Sequence, residues 1–194
     1  MDILPIRDYS EHDVIPFFGF SGASANKGTF VTPAGSGLDL TQDMLFGDLS
    51  YIDQTVSAYF KVPNVVAPAA SGATKSQVVG MLLLDHRTYD ENGELLIFRP
   101  RKAAEMVCTV SGQATNVLTR GRVLYSGIVG APGFGSGAAV ADAGDGSLKV
   151  VAPYVYGSGQ GGVLTAFPNP VCIGKFLGPK NSAGHAWLQF DCQD

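Results

Sequence analysis

The sequence contains few of the residues that most often act in catalysis or bind metal ions. It has three cysteines, three histidines and one tryptophan in 194 residues. The cysteines are odd in number and form no CxxC pair, which favours reduced thiols over a disulfide framework. His12, His86 and His185 lie far apart and match no metal-ligand spacing, and the GxSxG and Walker motifs are missing. We therefore predict that the protein is not an enzyme and assign no catalytic, cofactor or metal residue.

Charge is also scarce, and no long apolar run is present. Charged residues make up 15% of the chain, the net charge is −4, and the 13 basic residues are scattered. Nucleic-acid binding usually needs a larger basic patch, so no nucleic-acid partner is expected. No apolar run has the length of a membrane span, and the acidic start MDILPIRDYSEHD does not resemble a secretory signal. A membrane partner is therefore not expected either.

What the chain does have is glycine, proline and many short apolar runs. It contains 25 glycines and 11 prolines, with 45% hydrophobic residues. Short apolar runs that end at glycine or proline are typical of all-β domains. The sequence therefore predicts a mainly β fold, a single β-barrel or β-sandwich, with one short helix. Residues 38–60 are the best helix candidate, since Leu40, Met44 and Leu45 have helical spacing and Asp39 could cap them.

The clearest strand pattern closes the chain, in the stretch CIGKFLGPKNSAGHAWLQFDC at 172–192. Apolar side chains alternate with polar ones after His185, and the segment GPKNSAG at 178–184, a loop by composition, precedes them. A symmetric hairpin would place Cys172 and Phe176 on the same buried face as Phe190 and Cys192. Trp187 would then lie on the opposite face.

Residues 1–20 form a distinct apolar segment, in which Pro5 and Pro16 discourage a continuous helix. Two interpretations remain open: an edge strand of the domain, or an extended N-terminal arm docked on a neighbouring subunit. We divide the chain into this arm, 1–20, and a β-rich domain, 21–194.

Several weaker patterns are interpreted as loops and turns. The segments 157–162 and 133–138 match GxGxxG and GxGxxA, but neither precedes a helical pattern, so dinucleotide binding is not expected. Residues 78–100 and 171–192 share the plan of two similar hairpins, although chance similarity is an equal alternative. The acidic side chains around the loop of the first hairpin could form a glycosidase pair, but a solvated turn is the more common use; they are Asp85, Asp90, Glu91 and Glu94.

The second half of the chain resembles a known family in the style and order of three stretches. They are RPRKAAEMVCTVSGQATNVLTRGRVLYSG at 99–127, DGSLKVV at 145–151, and the closing hairpin. Together they look like the small β-rich head decoration, or cement, proteins of tailed bacteriophages. The resemblance implies a structural virion protein on the outer surface of the capsid, made in the host cytoplasm, that stabilises contacts between major capsid subunits. It also implies self-association, as a trimer more than a dimer.

Exposed aromatic residues would then form the interfaces, since such residues are favoured in binding hot spots. An alternative is a receptor- or glycan-binding β-module of a phage tail fibre, with exposed aromatics as sugar platforms. For each candidate, a place in the core is the competing interpretation. The partner-interface candidates are Ile15, Phe17, Phe18, Phe20, Tyr154, Tyr156 and Trp187.

Overall fold

The protein has a mainly β fold, as predicted. The computed structural model describes residues 3–8, 10–19, 24–33, 65–110, 114–151 and 172–192. The predictions for 38–60 and 157–162 lie outside these residues. No helix in the described ranges is long and apolar enough to cross a membrane.

Short strands account for most of the regular structure in these ranges. The strands are β1 Ile3–Asp8, β2 Val14–Gly19, β3 Phe30–Pro33, β4 Val65–Pro68, β5 Gly80–Leu82, β6 Asp85–Arg87, β7 Cys108–Val110, β8 Ala114–Leu118, β9 Arg120–Tyr125, β10 Ile128–Val129, β11 Gly137–Val140, β12 Leu148–Val151, β13 Cys172–Phe176 and β14 Ala186–Asp191. The helical elements are α1 Pro100–Glu105 and the 3₁₀ turns Glu11–Asp13, Lys75–Gln77 and Leu96–Phe98.

Within the described residues, the strands form one large sheet, one closed barrel and one strand pair. The large sheet has seven strands in the order β1-β9-β14-β13-β11-β12-β10. The barrel is closed by the five strands β2, β4, β3, β5 and β8, and β6 pairs with β7 in parallel. Most of the buried apolar side chains belong to one core cluster that both the large sheet and the barrel supply.

The N-terminal segment belongs to both main sheets. β1 pairs with β9 at the edge of the large sheet, and β2 lies between β4 and β8 in the barrel. Of the two interpretations of residues 1–20, the structure agrees with strands of the domain.

The closing hairpin has the predicted buried and exposed faces, with one correction at its start. Gly174 pairs with Phe190 and Phe176 with Leu188, and side chains along β14 alternate between buried and exposed. A register shift in the pairing of β13 with β11 lets Ile173 enter the core instead of Cys172. Cys172 is therefore only half-buried, whereas Cys192 packs against the core as expected.

An excursion from the barrel, residues 85–110, differs from its predicted structure. The sequence pattern predicts strands at 94–98 and 104–110. The first range instead contains the 3₁₀ turn Leu96–Phe98, and in the second the end of α1 precedes the strand Cys108–Val110. Pro100 suits the first turn of a helix, because its missing N–H has no intrahelical acceptor there. The predicted likeness between 78–100 and the closing hairpin is therefore not present in the structure. The glycine and alanine content of 130–143 predicts a flexible loop, but this range contains strand β11.

Closure of the barrel depends on the absence of a side chain at Gly80. A Cβ at this position would collide with the backbone carbonyl oxygen of Leu118 and approach Val117 Cγ1 to 2.8 Å. Both residues belong to β8, which is hydrogen-bonded to β5. The two strands can pair here only because residue 80 is glycine.

We expect Gly80→Ala to lower the free energy of unfolding by about 3 kcal/mol, since the backbone of β8 would have to move. Gly72→Ala is the matched control. It makes the same substitution at a position where nothing lies within 4 Å of the added Cβ. That variant should lose only about 1 kcal/mol, from its positive φ. Urea unfolding of both variants measures the difference, and equal losses would contradict the role of Gly80.

Candidate interaction surfaces

The structure does not gather the predicted interface residues at one surface. Ile15 is exposed on the barrel strand β2, and Phe17, on the same strand, packs partly against a small core cluster. The backbone of Phe18 pairs with Val65 and Ala114 within the barrel. Trp187 lies on the large sheet instead, with 38% of its surface exposed. Three further candidates, Phe20, Tyr154 and Tyr156, lie outside the described residues.

Trp187 belongs to an ordered array on the outer face of the large sheet, opposite the core. Its cross-strand neighbour on β9 is Leu124, and its carbonyl accepts a 2.9 Å hydrogen bond from the N–H of Leu177. The next outward row along these strands contains Arg122, Gln189 and Lys175, which are directly paired across β9, β14 and β13. An apolar row therefore lies beside a polar one.

The polar row of Arg122, Gln189 and Lys175 is part of a cleft of about 510 Å³. Four basic and two acidic side chains line it, so its formal charge is positive although the whole chain is acidic. Backbone segments of β9, β13 and β14 lie between the charged side chains. Asp13 and Lys75 reach the cleft from the 3₁₀ turns that precede the barrel strands β2 and β5. The lining residues are Asp13, Lys75, Arg120, Gly121, Arg122, Cys172, Ile173, Gly174, Lys175, Gln189, Phe190 and Asp191.

Asp13 anchors one end of this cleft. Its carboxylate is buried, accepts a 3.1 Å hydrogen bond from the Ser10 N–H and lies 3.0 Å from Nη2 of Arg120. Its backbone carbonyl accepts hydrogen bonds from both the N–H and the hydroxyl of Thr119, at 2.8 and 2.9 Å. These contacts connect the start of β2 to the start of β9 and hold the Arg120 guanidinium at the edge of the cleft.

A second surface lies on the barrel excursion, and we call its three exposed side chains, Tyr89, Leu95 and Phe98, the apolar knob. Tyr89 and Leu95 face each other in an antiparallel bridge. Leu95 and Phe98 are three residues apart across a 3₁₀ turn, so their side chains project from the same side. Phe98 is 71% exposed, which is an unusual position for a large apolar ring.

Polar contacts hold the backbone of the knob in place. The buried Asp90 carboxylate accepts hydrogen bonds from the N–H groups of Asn92 and Glu94, at 2.8 and 2.9 Å. Hydrogen bonds from the Glu94 and Asn92 amides hold the pKa of Asp90 below its ordinary value, against the opposing effect of desolvation. Two ion pairs of 2.7 Å, Glu94 with Arg99 and Glu91 with Lys102, connect the turn to α1 and its N-terminal end. The knob is therefore preorganised rather than loosely attached.

Val107 adds an exposed apolar side chain on the same excursion, in a strained backbone position. It follows the end of α1 with φ of 51°, a conformation that β-branched residues rarely adopt. Its N–H donates to the Ala104 carbonyl at 3.1 Å, as in the usual glycine-terminated helix end. Glycine would fit here without strain, yet the chain places a valine that is 65% exposed.

The histidines and cysteines do not converge. His86 is buried, with Nδ1 3.3 Å from the Thr109 hydroxyl, and His12 lies at the surface on a separate turn. Burial raises the pKa of the Cys108 and Cys172 thiols, which lowers their thiolate fraction at neutral pH. In the described part of the chain, no three His, Cys, Asp or Glu side chains are placed to hold a metal ion.

The other sequence motifs have structural roles where they are described. The GxGxxA segment at 133–138 forms a turn, in which the Gly133 N–H donates to the Ser136 hydroxyl at 3.0 Å, and it leads into strand β11. No helix N-terminus follows it that could hold a phosphate. The Asp85 carboxylate accepts from the Lys27 N–H at 2.7 Å and pairs with Arg87 at 3.3 Å. These acidic residues serve turns and ion pairs, as the sequence indicated.

Sequence reasoning missed both the apolar knob and the basic cleft. The knob was missed because 94–98 resembled a strand, although Pro100 was a signal that the chain enters a helix there. The cleft was missed because Arg122 and Lys175 are 53 positions apart in the sequence and form no local cluster of charge. The alternation on each strand pointed both side chains outward, but only the strand order brings them together. No family model matches the chain, and no significant match is found among curated proteins.

We expect the carboxyl group of Asp90 to titrate below its ordinary pKa of about 3.9. Because the folded-state pKa is lowered, its support of the knob is complete above the unfolded pKa and is lost as the pH falls through the folded one. NMR titration of the Asn92 and Glu94 amides reports this change. A midpoint at or above 4 in the wild type, or the same transition in Asp90→Asn, would contradict it.

We expect Val107→Gly to raise the free energy of unfolding by about 0.5–1 kcal/mol. Relief of the left-handed conformation gains about 1–2 kcal/mol, and the greater freedom of glycine in the unfolded chain offsets part of it. Val129→Gly is the control, since Val129 is also exposed but lies in strand β10 without a positive φ. It should lose stability in the same urea experiment. A stability loss in Val107→Gly would show that packing of the valine outweighs its strain.

Proposed function

We propose that the protein is a structural virion protein that binds the outside of a phage capsid and stabilises contacts between major capsid subunits. The resemblance of 75–192 to head decoration proteins suggests this role. The observation that carries the proposal is the apolar knob: three exposed apolar side chains on a rigid excursion. On this proposal, the chain is made in the host cytoplasm and functions on the outer surface of the capsid.

The knob has the anatomy of a protein-binding hot spot. Such sites have an apolar centre with aromatic residues, surrounded by polar groups that exclude water when the partner is bound. Here Tyr89, Leu95 and Phe98 supply the centre, and the Glu94–Arg99 ion pair lies beside it. Since the turn is held by Asp90, little conformational entropy would be lost on binding. The strained, exposed Val107 supports the same assignment, because strain tends to persist at functional positions.

A clamping protein also needs contacts on more than one side. Ile15 is exposed on the barrel and Trp187 on the large sheet, whereas the knob lies on the excursion. Separate exposed apolar residues suit a protein that contacts several neighbours, among them other copies of itself in a trimer. On a capsid lattice, repeated contacts combine through avidity, so each can be weak.

The proposal is tested by co-sedimentation of the purified protein with expanded and unexpanded heads of the phage that encodes it. We expect saturable binding to expanded heads and roughly tenfold weaker binding by Phe98→Ser, because a central apolar anchor is lost. The matched control is Phe134→Ser, which removes a phenyl ring that is 81% exposed from the turn before β11. This control should bind as the wild type does.

Failure to bind either form of head would overturn the proposed function. Equal losses in Phe98→Ser and Phe134→Ser would retain capsid binding but remove the knob as its cause. Urea unfolding of both variants verifies that the exposed rings can be changed without loss of the fold.

A further inference from the structure

We propose that the cleft on the outer face of the large sheet binds an acidic saccharide, whose carboxylate lies at Arg122 and Lys175 and whose ring lies on Trp187. This inference does not rest on the proposed capsid binding, and its cleft lies on a different sheet from the apolar knob. It rests on three observations: the charge of the cleft, its mixture of donors and acceptors, and the indole beside it.

The charge of the cleft favours an anionic ligand. Four basic and two acidic side chains line the cleft, and one of the acidic ones, Asp13, forms an ion pair of 3.0 Å with Arg120. Arg122 and Lys175 flank Gln189 in one cross-strand row, so a carboxylate above this row would meet cationic donors from both sides. Guanidinium and ammonium groups bind carboxylates through charge-assisted hydrogen bonds, which are stronger than neutral ones.

The mixture of polar groups favours a saccharide over a simple polyanion. Asp191 is an acceptor, Gln189 is both donor and acceptor, and the basic residues are donors only. Each sugar hydroxyl also donates and accepts, so it can use every member of this set.

Trp187 extends the cleft with an aromatic surface. It is two residues before Gln189 on β14 and on the same face, which places it about 7 Å further along the strand. Leu124 and Leu177 flank it across the neighbouring strands. The apolar C–H face of a sugar ring can pack on the electron-rich face of an indole. A ligand with a ring and a carboxylate one sugar unit apart would span both rows.

The strand pairing disfavours the binding of an extended peptide by strand addition. β9, β14 and β13 each have hydrogen-bonded neighbours on both sides, so none presents a free backbone edge to this cleft. Recognition must therefore use side chains on the face of the sheet. Such a shallow surface with an aromatic platform suits a saccharide better than a strand.

The test is binding of the full chain to an array of oligosaccharides containing glucuronate, galacturonate or sialate, beside their neutral counterparts, poly-glutamate and single-stranded DNA. We expect saturable binding to at least one acidic oligosaccharide, little to its neutral counterpart, and weaker binding as salt is raised. Calorimetry on that oligosaccharide then compares variants. Trp187→Ala and the double variant Arg122→Gln with Lys175→Gln should each raise Kd by roughly tenfold or more.

Two control variants separate this site from other surfaces. Arg101→Gln removes a charge that is 95% exposed on α1, and Phe98→Ser removes an exposed ring from the knob. Both should bind the oligosaccharide as the wild type does. Conversely, the double variant Arg122→Gln with Lys175→Gln should still co-sediment with heads, so failure of this inference and failure of the capsid proposal are distinguishable.

Three results would overturn the inference. One is the absence of binding to every acidic oligosaccharide on the array. The second is equal binding to poly-glutamate or single-stranded DNA, which would make the cleft a general polyanion surface. The third is binding that survives both cleft variants, which would place the saccharide elsewhere on the chain.

Discussion

Packing around Phe30 is the interaction on which the rest of the structure depends. Its ring is fully buried and meets Tyr125 and Phe190 edge-on, with centroid distances of 6.0 and 5.2 Å. Phe30 belongs to the barrel, whereas the other two rings belong to β9 and β14 of the large sheet. Its backbone N–H donates to the Gly146 carbonyl at 3.0 Å, and its carbonyl accepts from the Ala69 N–H at 2.8 Å. One residue thus joins the barrel, the large sheet and two connecting loops.

The same strands serve the core on one face and recognition on the other. Tyr125 on β9 and Phe190 on β14 point inward. On the same two strands, Arg122 and Gln189 point outward into the cleft. Because side chains alternate along a strand, the packing that fixes the inner residues also fixes the spacing of the outer ones. Core packing therefore fixes the backbone that carries the side chains of the cleft.

The two proposed interaction surfaces use different physical forces. The apolar knob gains free energy by removing Leu95 and Phe98 from water, an effect that salt weakens little. The cleft, with Arg122 and Lys175, relies on charge-assisted hydrogen bonds that salt does weaken. The knob also stands on an excursion whose ends continue into β5 and β8, which are paired in the barrel. The barrel therefore supports the apolar knob, and the large sheet supports the cleft.

The sequence by itself determined the features that depend on near neighbours. The period-2 pattern after His185 correctly predicted the closing hairpin, the buried face of β14 and the outward position of Trp187, because alternation is a local property of a strand. Only the tertiary structure decided which strands lie side by side, and hence that Asp13, Arg122 and Lys175 share one cleft. It also decided the register shift that turns Ile173 inward. These outcomes come from contacts between distant segments, and no local pattern of residues encodes which distant strand becomes a neighbour.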